Sequence, residues 1–449
     1  MKKFFFAGLA AVLALSSCTA NDFKKSPSRE DIFAEINAEH QAIEKVQVSE
    51  DDLKKLFSER QVKPKPQEME TLQDSSIIPQ DYAKNDIEYL FWRLSADYAL
   101  YDYFGGDKVF DKAKENALKA VEQEENWTSN SLAELILQEL SFIEDLHFNI
   151  NFVSPTPEEF PGFYRSTAFY KTSDNEYKNA EGKTVISVDG FEDLSTLFKR
   201  SLNENGEIVY YPVVVSGVSI PLELKVNYSD GSSETVSRNL EYTSKYFTYT
   251  EEQSVIFSEL EGIPIIDIER FHKISPAESN KIQEIAENND VLIIDLRDNP
   301  GGYFSACELV WKNLTQRKVP SNMQMIMRYS QQDLEIKKTE DDEFIENDKI
   351  IIIFASKYSA SSAELFMDMA HNVANTVIIG ENSRGALKGG EGVHFTLPHS
   401  SIRVDYGINT HILPEGHFEE LRGLEPDIWV HADDAEKLTL AMLKNWKKL

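Results

Sequence analysis

Cysteine is nearly absent from this chain, with only Cys18 and Cys307 in 449 residues. Positive charge is short as well: 46 Lys and Arg stand against 76 Asp and Glu, a formal net charge of −30. Binding to a phosphate backbone needs clustered cations, so a nucleic-acid partner is excluded. After the N-terminus no apolar run approaches the length of a membrane-spanning helix. The His, Cys and acidic residues show neither zinc nor calcium-loop spacing, so no metal and no cofactor is implied. The turn Gly380-Glu381-Asn382-Ser383-Arg384-Gly385 lacks the Gly-Lys-Ser/Thr ending of a phosphate loop. What remains is a chain with 41% apolar residues, long enough for two or three domains and a substantial core.

The N-terminus has the three parts of an export signal: Lys2-Lys3, the apolar run Phe4 to Leu15, and Ser16-Ser17-Cys18. Leu15-Ser16-Ser17-Cys18 resembles a bacterial lipobox, which implies cleavage before Cys18 and acylation of its thiol. The expected state is therefore an exported protein held to the bacterial cell envelope by lipid, on the periplasmic or surface side of the outer membrane. Cys307 then has no partner for a disulfide. It falls on the apolar side of a predicted helix beside Leu309 and Val310, where cysteine is inert core.

Composition and periodicity divide the rest. Residues 18–80 are rich in charge and include Val62-Lys63-Pro64-Lys65-Pro66, which reads as a tether with short helices at most. Residues 81–151 read as a helical domain. In it Ser131-Leu132-Ala133-Glu134 has capping-box spacing, and a stripe through Leu132, Leu135, Ile136, Leu140 and Ile143 predicts a helix ending at Asp145-Leu146-His147. Residues 152–250 carry short β runs such as Thr184 to Val188, Ile208 to Val215 and Leu222 to Tyr228. Residues 251–449 alternate β and α segments: strands at Ile263 to Ile268, Val291 to Leu296, Ile350 to Phe354 and Thr376 to Ile379, and helices near Pro276 to Glu287, from Phe304 and from Ser362. That alternation predicts crossover units and a largely parallel sheet, and strands near Ile402 to Tyr406 and Asp427 to Val430 close the domain.

Two of these strands run out into distinctive turns. Asp295-Leu296-Arg297-Asp298-Asn299-Pro300-Gly301-Gly302 follows one, and Ser359-Ala360-Ser361-Ser362-Ala363-Glu364 follows another. Strand C-termini are where open α/β sheets place their chemistry. A hydroxyl at a strand-to-helix turn sits beside a helix N-terminus able to stabilise a nearby anion, so acyl transfer is the natural reading. A Ser-rich turn alone is equally an N-cap.

Together the two turns resemble the signature of the C-terminal processing, or tail-specific, serine peptidases and their tricorn-like relatives. The resemblance runs from about Ile263 to Val430, and more weakly back to Tyr82. It implies a crotonase-like α/β catalytic domain with Ser361 as nucleophile. The tail-specific branch takes its base from a lysine about twenty-five positions on, a register that falls here on Ala386, with Lys388 two residues beyond. This departure points to the tricorn-like branch, whose base is a histidine from an N-terminal domain. Glu144-Asp145-Leu146-His147-Phe148 resembles its Asp-x-His-x motif, so His147 is the expected base. His371 lies ten residues past Ser361 on one predicted helix, roughly 15 Å along the axis, too far to share a hydrogen bond. The run from Phe418 to Asp427 resembles the family's glutamate before a Gly-Val-x-Pro-Asp turn. It assigns the orienting carboxylate to Glu420, with Glu419 one position out of register.

The resulting oxyanion would meet the amide of Ser362 and one from Gly301 or Gly302. Gly182 to Gly190 resembles the middle of a PDZ domain, which would hold a substrate chain end; a β insert of no special function is the other reading. The expected activity is that of a serine endopeptidase acting on a peptide or protein substrate. The alternative is a non-catalytic binder of apolar ligands or peptides on the same fold.

Overall fold

The computed structural model describes residues 22–46, 63–70, 72, 76–156, 161–215, 220–238, 254–328, 334–337 and 343–446. The signal segment and Cys18 lie outside these residues. Among the described residues no helix is long and apolar enough to cross a membrane.

A six-stranded sheet organises the C-terminal half, in the order Val255–Leu260, Ile263–Ile268, Val291–Asp295, Ile350–Ala355, Thr376–Gly380, Ile428–Trp429. The first pair is antiparallel and the other pairings are parallel. Successive residues point to opposite faces, so a strand buried on both sides must be apolar throughout. Ile351 and Ile353 face the helices Pro276–Asn288, Phe304–Thr315 and Ser362–Ala370 through Ile282, Val310, Trp311 and Phe366. Ile350, Ile352 and Phe354 face the helices Arg29–Gln41 and Ala435–Asn445 through Ile32, Ile36, Leu438 and Met442. Truncating Ile352, which is fully buried, would cost about 2–5 kcal/mol.

Two expectations change here. Arg29–Gln41, read as tether, is a 13-residue helix with a Ser28–Asp31 capping box, and it shares one face of the central sheet with Ala435–Asn445. The helix expected to reach His147 begins earlier, at Thr128 through a box with Ser131, and stops at Glu139. Leu140 and Ile143 are still fully buried, but a turn carries them. The strand expected near Ile402 to Tyr406 is present, in a sheet of its own. Arg403–Ile412 pairs there with Gly389–Thr396, Gln324–Arg328 and the short strand Asn149–Ile150. Its apolar residues alternate, which suits a sheet with one core face. Val404 and Tyr406 pack with Leu90, Leu94, Phe110, Leu132 and Ile136 of the helices Gln80–Asp97, Gly106–Val121 and Ser129–Glu139.

The described residues between 162 and 237 form two small sheets, one of five strands and one of three, around a shared core that includes Phe169, Phe198, Val226 and Val236. The strand Asn149–Ile150 has the larger role for the site, because it ties the end of the helical region to the second sheet just two residues after His147.

Candidate active site

The turn at Asn299 and the turn at Ser361 are built against each other. Asn299 is buried; its Nδ2 donates to the Ile268 carbonyl at 2.7 Å, its Oδ1 accepts from Gly301 N at 2.8 Å, and its carbonyl accepts from Ala360 N at 3.0 Å. Ser359 Oγ donates to the Leu296 carbonyl at 2.8 Å and Ser362 Oγ to the Gly302 carbonyl at 2.7 Å. A Cβ on Gly301 would stand 2.7 Å from Ser361 Cβ and 2.8 Å from the Ala360 oxygen, so only glycine admits this approach.

Ser361 itself has φ 53° and ψ −115°, a conformation that a serine holds only when its surroundings impose it. Glu364 is part of what imposes it. Its carboxylate, fully buried, accepts from Ser361 N at 2.8 Å, Ser383 Oγ at 2.7 Å, Gly385 N at 2.7 Å and Ala386 N at 2.9 Å. Burial pushes this carboxyl above its usual range despite those donors. The Gly380 to Gly385 turn is thereby locked to the serine turn. Sequence reading quoted Glu364 without giving it a task; its position three residues into a helix opened by a serine is the signal that could have found it.

Across the cleft His147 Nε2 lies 3.2 Å from Ser361 Oγ. Asp145, two residues before it and fully buried, accepts from His147 N at 2.9 Å and from Tyr98 Oη at 2.9 Å. Its Oδ1 lies 3.7 Å from the Nδ1 atom of His147, which has no hydrogen-bond partner.

Glu420 enters by another route than expected. Its oxygens accept from Leu146 N at 3.3 Å and Lys388 N at 2.9 Å, so it grips the segment that carries His147, and Asp145 faces the ring. Burial, and then the charge of Asp145, push the Glu420 carboxyl well above the usual range. Glu419 points outward to an ion pair with Arg422.

The remaining candidates fall into place on distance. Gly301 N is already committed to Asn299, so it does not serve as an oxyanion donor. The amides of Gly302 and Ser362 have no acceptor among the hydrogen bonds of the described residues. Lys388 Nζ sits on Tyr103, with its ammonium 3.9 Å from the ring centroid, and Ala386 is held by Glu364, so neither serves Ser361. Cys307 is buried, its thiol pushed well up by burial and 3.2 Å from the Ser362 carbonyl. His371 is buried away from the cleft. Sequence reading missed His411, a cleft residue whose Nδ1 donates to the Leu387 carbonyl and which burial holds down to about 4, neutral at ordinary pH.

His147, Ser361, Ser362 and Gly302 line one cleft of about 870 Å³, whose wall includes Val319, Met323, Leu365 and Met369. A hydroxyl, an imidazole at hydrogen-bond distance and two backbone amides beside them are the kinds of group that acyl transfer uses.

Peptidase family S41 matches residues 262–430. Among solved structures, mature CPAF is 14% identical over 82% of this chain and 96% of its own, with a TM-score of 0.44. The photosystem II D1 C-terminal processing protease is 14% identical over 81% of this chain and 96% of its own, with a TM-score of 0.40. The tricorn protease is 14% identical over 82% of this chain and 37% of its own, with a TM-score of 0.36. No curated protein sequence matches the chain. Through residues 262–430 the chain is a match to peptidase family S41, the C-terminal processing protease family, and that match supports a serine peptidase.

Proposed function

We propose that this protein is an exported, lipid-anchored serine endopeptidase in which Ser361 is the nucleophile and His147 its general base. The observation that carries the reading is the 3.2 Å approach of His147 Nε2 to Ser361 Oγ at the floor of the cleft. Ser361 Oγ attacks a peptide carbonyl carbon while its proton passes to His147 Nε2. The oxyanion is met by the amides of Ser362 and Gly302. The C–N bond then breaks, His147 returns the proton to the leaving amine, and water hydrolyses the acyl-enzyme with the imidazole again acting as base. A base that must cycle in this way needs one tautomer, with the proton on Nδ1. Asp145 at 3.7 Å supports that tautomer, while Glu420 holds the Leu146–His147 turn in place.

The catalytic half is read as a crotonase-like α/β domain, and the β-rich insert as a PDZ-like element that holds a substrate chain end. Cys18 is read as the acylated residue, with the envelope as the protein's location. Replacing Cys18 by Ser should release the protein from the membrane fraction; retention there would remove the lipid from the account.

The decisive experiment is labelling with a fluorophosphonate probe. Wild type should be modified at Ser361, and Ser361→Ala and His147→Ala should lose labelling and peptide hydrolysis by about 10⁴-fold or more with unchanged melting curves. Undiminished labelling of Ser361→Ala would overturn the assignment.

A further inference from the structure

Beside the edge strand Ile428–Trp429 of the central sheet, and away from the cleft, three histidines and two aspartates meet in one buried knot. His40 comes from the last turn of Arg29–Gln41, Asp368 and His371 from the end of the helix that Ser361 opens, and His417 and Asp427 from the segment on either side of Glu420. The His371 ring lies between the other two, 4.5 Å from His40 and 5.0 Å from His417, centroid to centroid. His40 Nε2 is 2.7 Å from Asp427 Oδ1, and His417 Nε2 is 2.9 Å from Asp368 Oδ1.

Two observations separate this knot from an ordinary pair of ion pairs. His40 and His371 are only 4% and 5% exposed, yet the Nδ1 atom of each has no hydrogen-bond partner. A buried ring nitrogen left in this way is destabilising and calls for an explanation. Moreover, His40, His371 and Asp427 each present a ligand atom within 4.8 Å of the other two.

From this geometry we propose that His40, His371 and Asp427 form a binding site for a divalent transition-metal ion of the zinc type. Imidazole nitrogen with one carboxylate oxygen suits Zn²⁺, whereas Ca²⁺ and Mg²⁺ require oxygen cages. Bonds of about 2.0–2.1 Å set tetrahedral ligand atoms roughly 3.3 Å apart, so closing onto an ion needs a movement of at most about 1.5 Å. Asp427 is the better donor of the two aspartates. One of its oxygens meets His40 and the other the Ile378 amide, while Asp368 is already taken by Ser321, Asn322 and His417. An entry path exists: His40, His371, His417 and Asp427 all line an open cleft of about 340 Å³. The Arg200 guanidinium in that cleft is neutralised by Glu35 and Glu39, so it does not bar a cation. Lying roughly 15 Å along the helix from Ser361, the ion is a clamp on the fold and takes no part in the chemistry. It ties the N-terminal helix, the end of the nucleophile helix and the segment bearing Glu420 together.

The test uses the full chain without a histidine tag, stripped by chelator and titrated with ZnCl₂ by calorimetry, with a parallel thermal melt. Expected are one equivalent bound and a melting temperature that rises with zinc. His371→Gln and His40→Gln should each weaken binding by more than about tenfold, whereas the exposed His394→Gln should bind as wild type does. Absence of zinc binding by wild type, or of any zinc-dependent rise in its melting temperature, overturns the proposal without recourse to a variant. Weakening by His417→Gln but not by His40→Gln would overturn the ligand assignment in favour of the Asp368 side.

Discussion

His147 Nε2 and Ser361 Oγ stand 3.2 Å apart although 214 positions separate them in the chain. The segment bearing His147 is delivered by the strand Asn149–Ile150, and the turn bearing Ser361 by the strand Ile350–Ala355, in two different sheets. Their meeting therefore depends on how those sheets are held together.

Two carboxylates stand behind His147 in different roles, and substitution should separate them. Asp145→Asn removes the negative charge facing Nδ1 and is expected to lower kcat/KM by about 10²–10⁴-fold. Glu420→Gln keeps an acceptor for the Leu146 or Lys388 amide and replaces a carboxyl that burial favours in its neutral form, so its loss should stay below about tenfold. Steady-state kinetics on both variants decide; a larger loss in Glu420→Gln would transfer the orienting role to Glu420.

Gly301 sets the approach of one turn to the other. In Gly301→Ala the new Cβ meets Ser361 Cβ at 2.7 Å, so the serine must shift or the turns must part. Displacement on the ångström scale costs about 10²-fold in acylation rate, with a stability loss of about 1–3 kcal/mol. Gly262 also has positive φ but its Cβ would meet nothing within 4 Å. Gly262→Ala should thus lose some stability and keep full labelling by the fluorophosphonate probe. Equal activity in both alanine variants would mean that the Gly301 contact is dispensable.

Much of the central sheet was legible because strands buried on both faces must be continuous apolar runs, and Ile350 to Phe354 is one. The two strand-exit turns were legible as a pair for the same reason. His147 was reached through a family resemblance, since nothing local marks one histidine among nine as facing a serine. The ring-facing place of Asp145 was not legible, because it depends on how the turn after Glu139 folds back. Arg29–Gln41 was misread although Ile32, Phe33 and Ile36 form a short stripe behind a Ser28–Asp31 box; the charged surroundings dominated the composition. The His40, His371 and Asp427 knot lay beyond any spacing rule, as His40 and Asp427 are 387 positions apart.

Stability should fall as pH rises through neutrality, because of Asp267. Burial, followed by the neighbouring charges of Asp295 and Glu269, raises its carboxyl from 3.8 to about 7. Asp267 and Asp295 are register partners on adjacent parallel strands. Between these pH values the folded chain keeps a proton that the unfolded chain has released. The stabilising contribution is complete below 3.8 and is lost on passing about 7. Asp267→Asn cannot ionise, so it should be the more stable protein at pH 8, by about 1–3 kcal/mol after allowance for solvent screening. Urea midpoints at pH 5 and pH 8 test this; parallel pH profiles for the two proteins would rule it out.

The cleft wall beside Ser361 also makes a statement about substrate. Leu365 and Met369 lie on the helix that Ser361 opens, and Val319 and Met323 line the same cleft, all of them buried apolar side chains. An apolar substrate side chain packed on these four gains about 1–3 kcal/mol, whereas a carboxylate packed on them loses its hydration with no cation among the four, Arg270 and Lys318 being the cations of the cleft. Peptide-library digests should therefore show cuts flanked by Leu, Met or Phe at roughly 10–200-fold higher kcat/KM than matched peptides with Asp at that position. Met323→Asp should depress cleavage of the apolar peptides while leaving fluorophosphonate labelling of Ser361 intact, because the probe reads the nucleophile and not the wall. Cleavage indifferent to the flanking residue in wild type would show that the wall does not contact substrate.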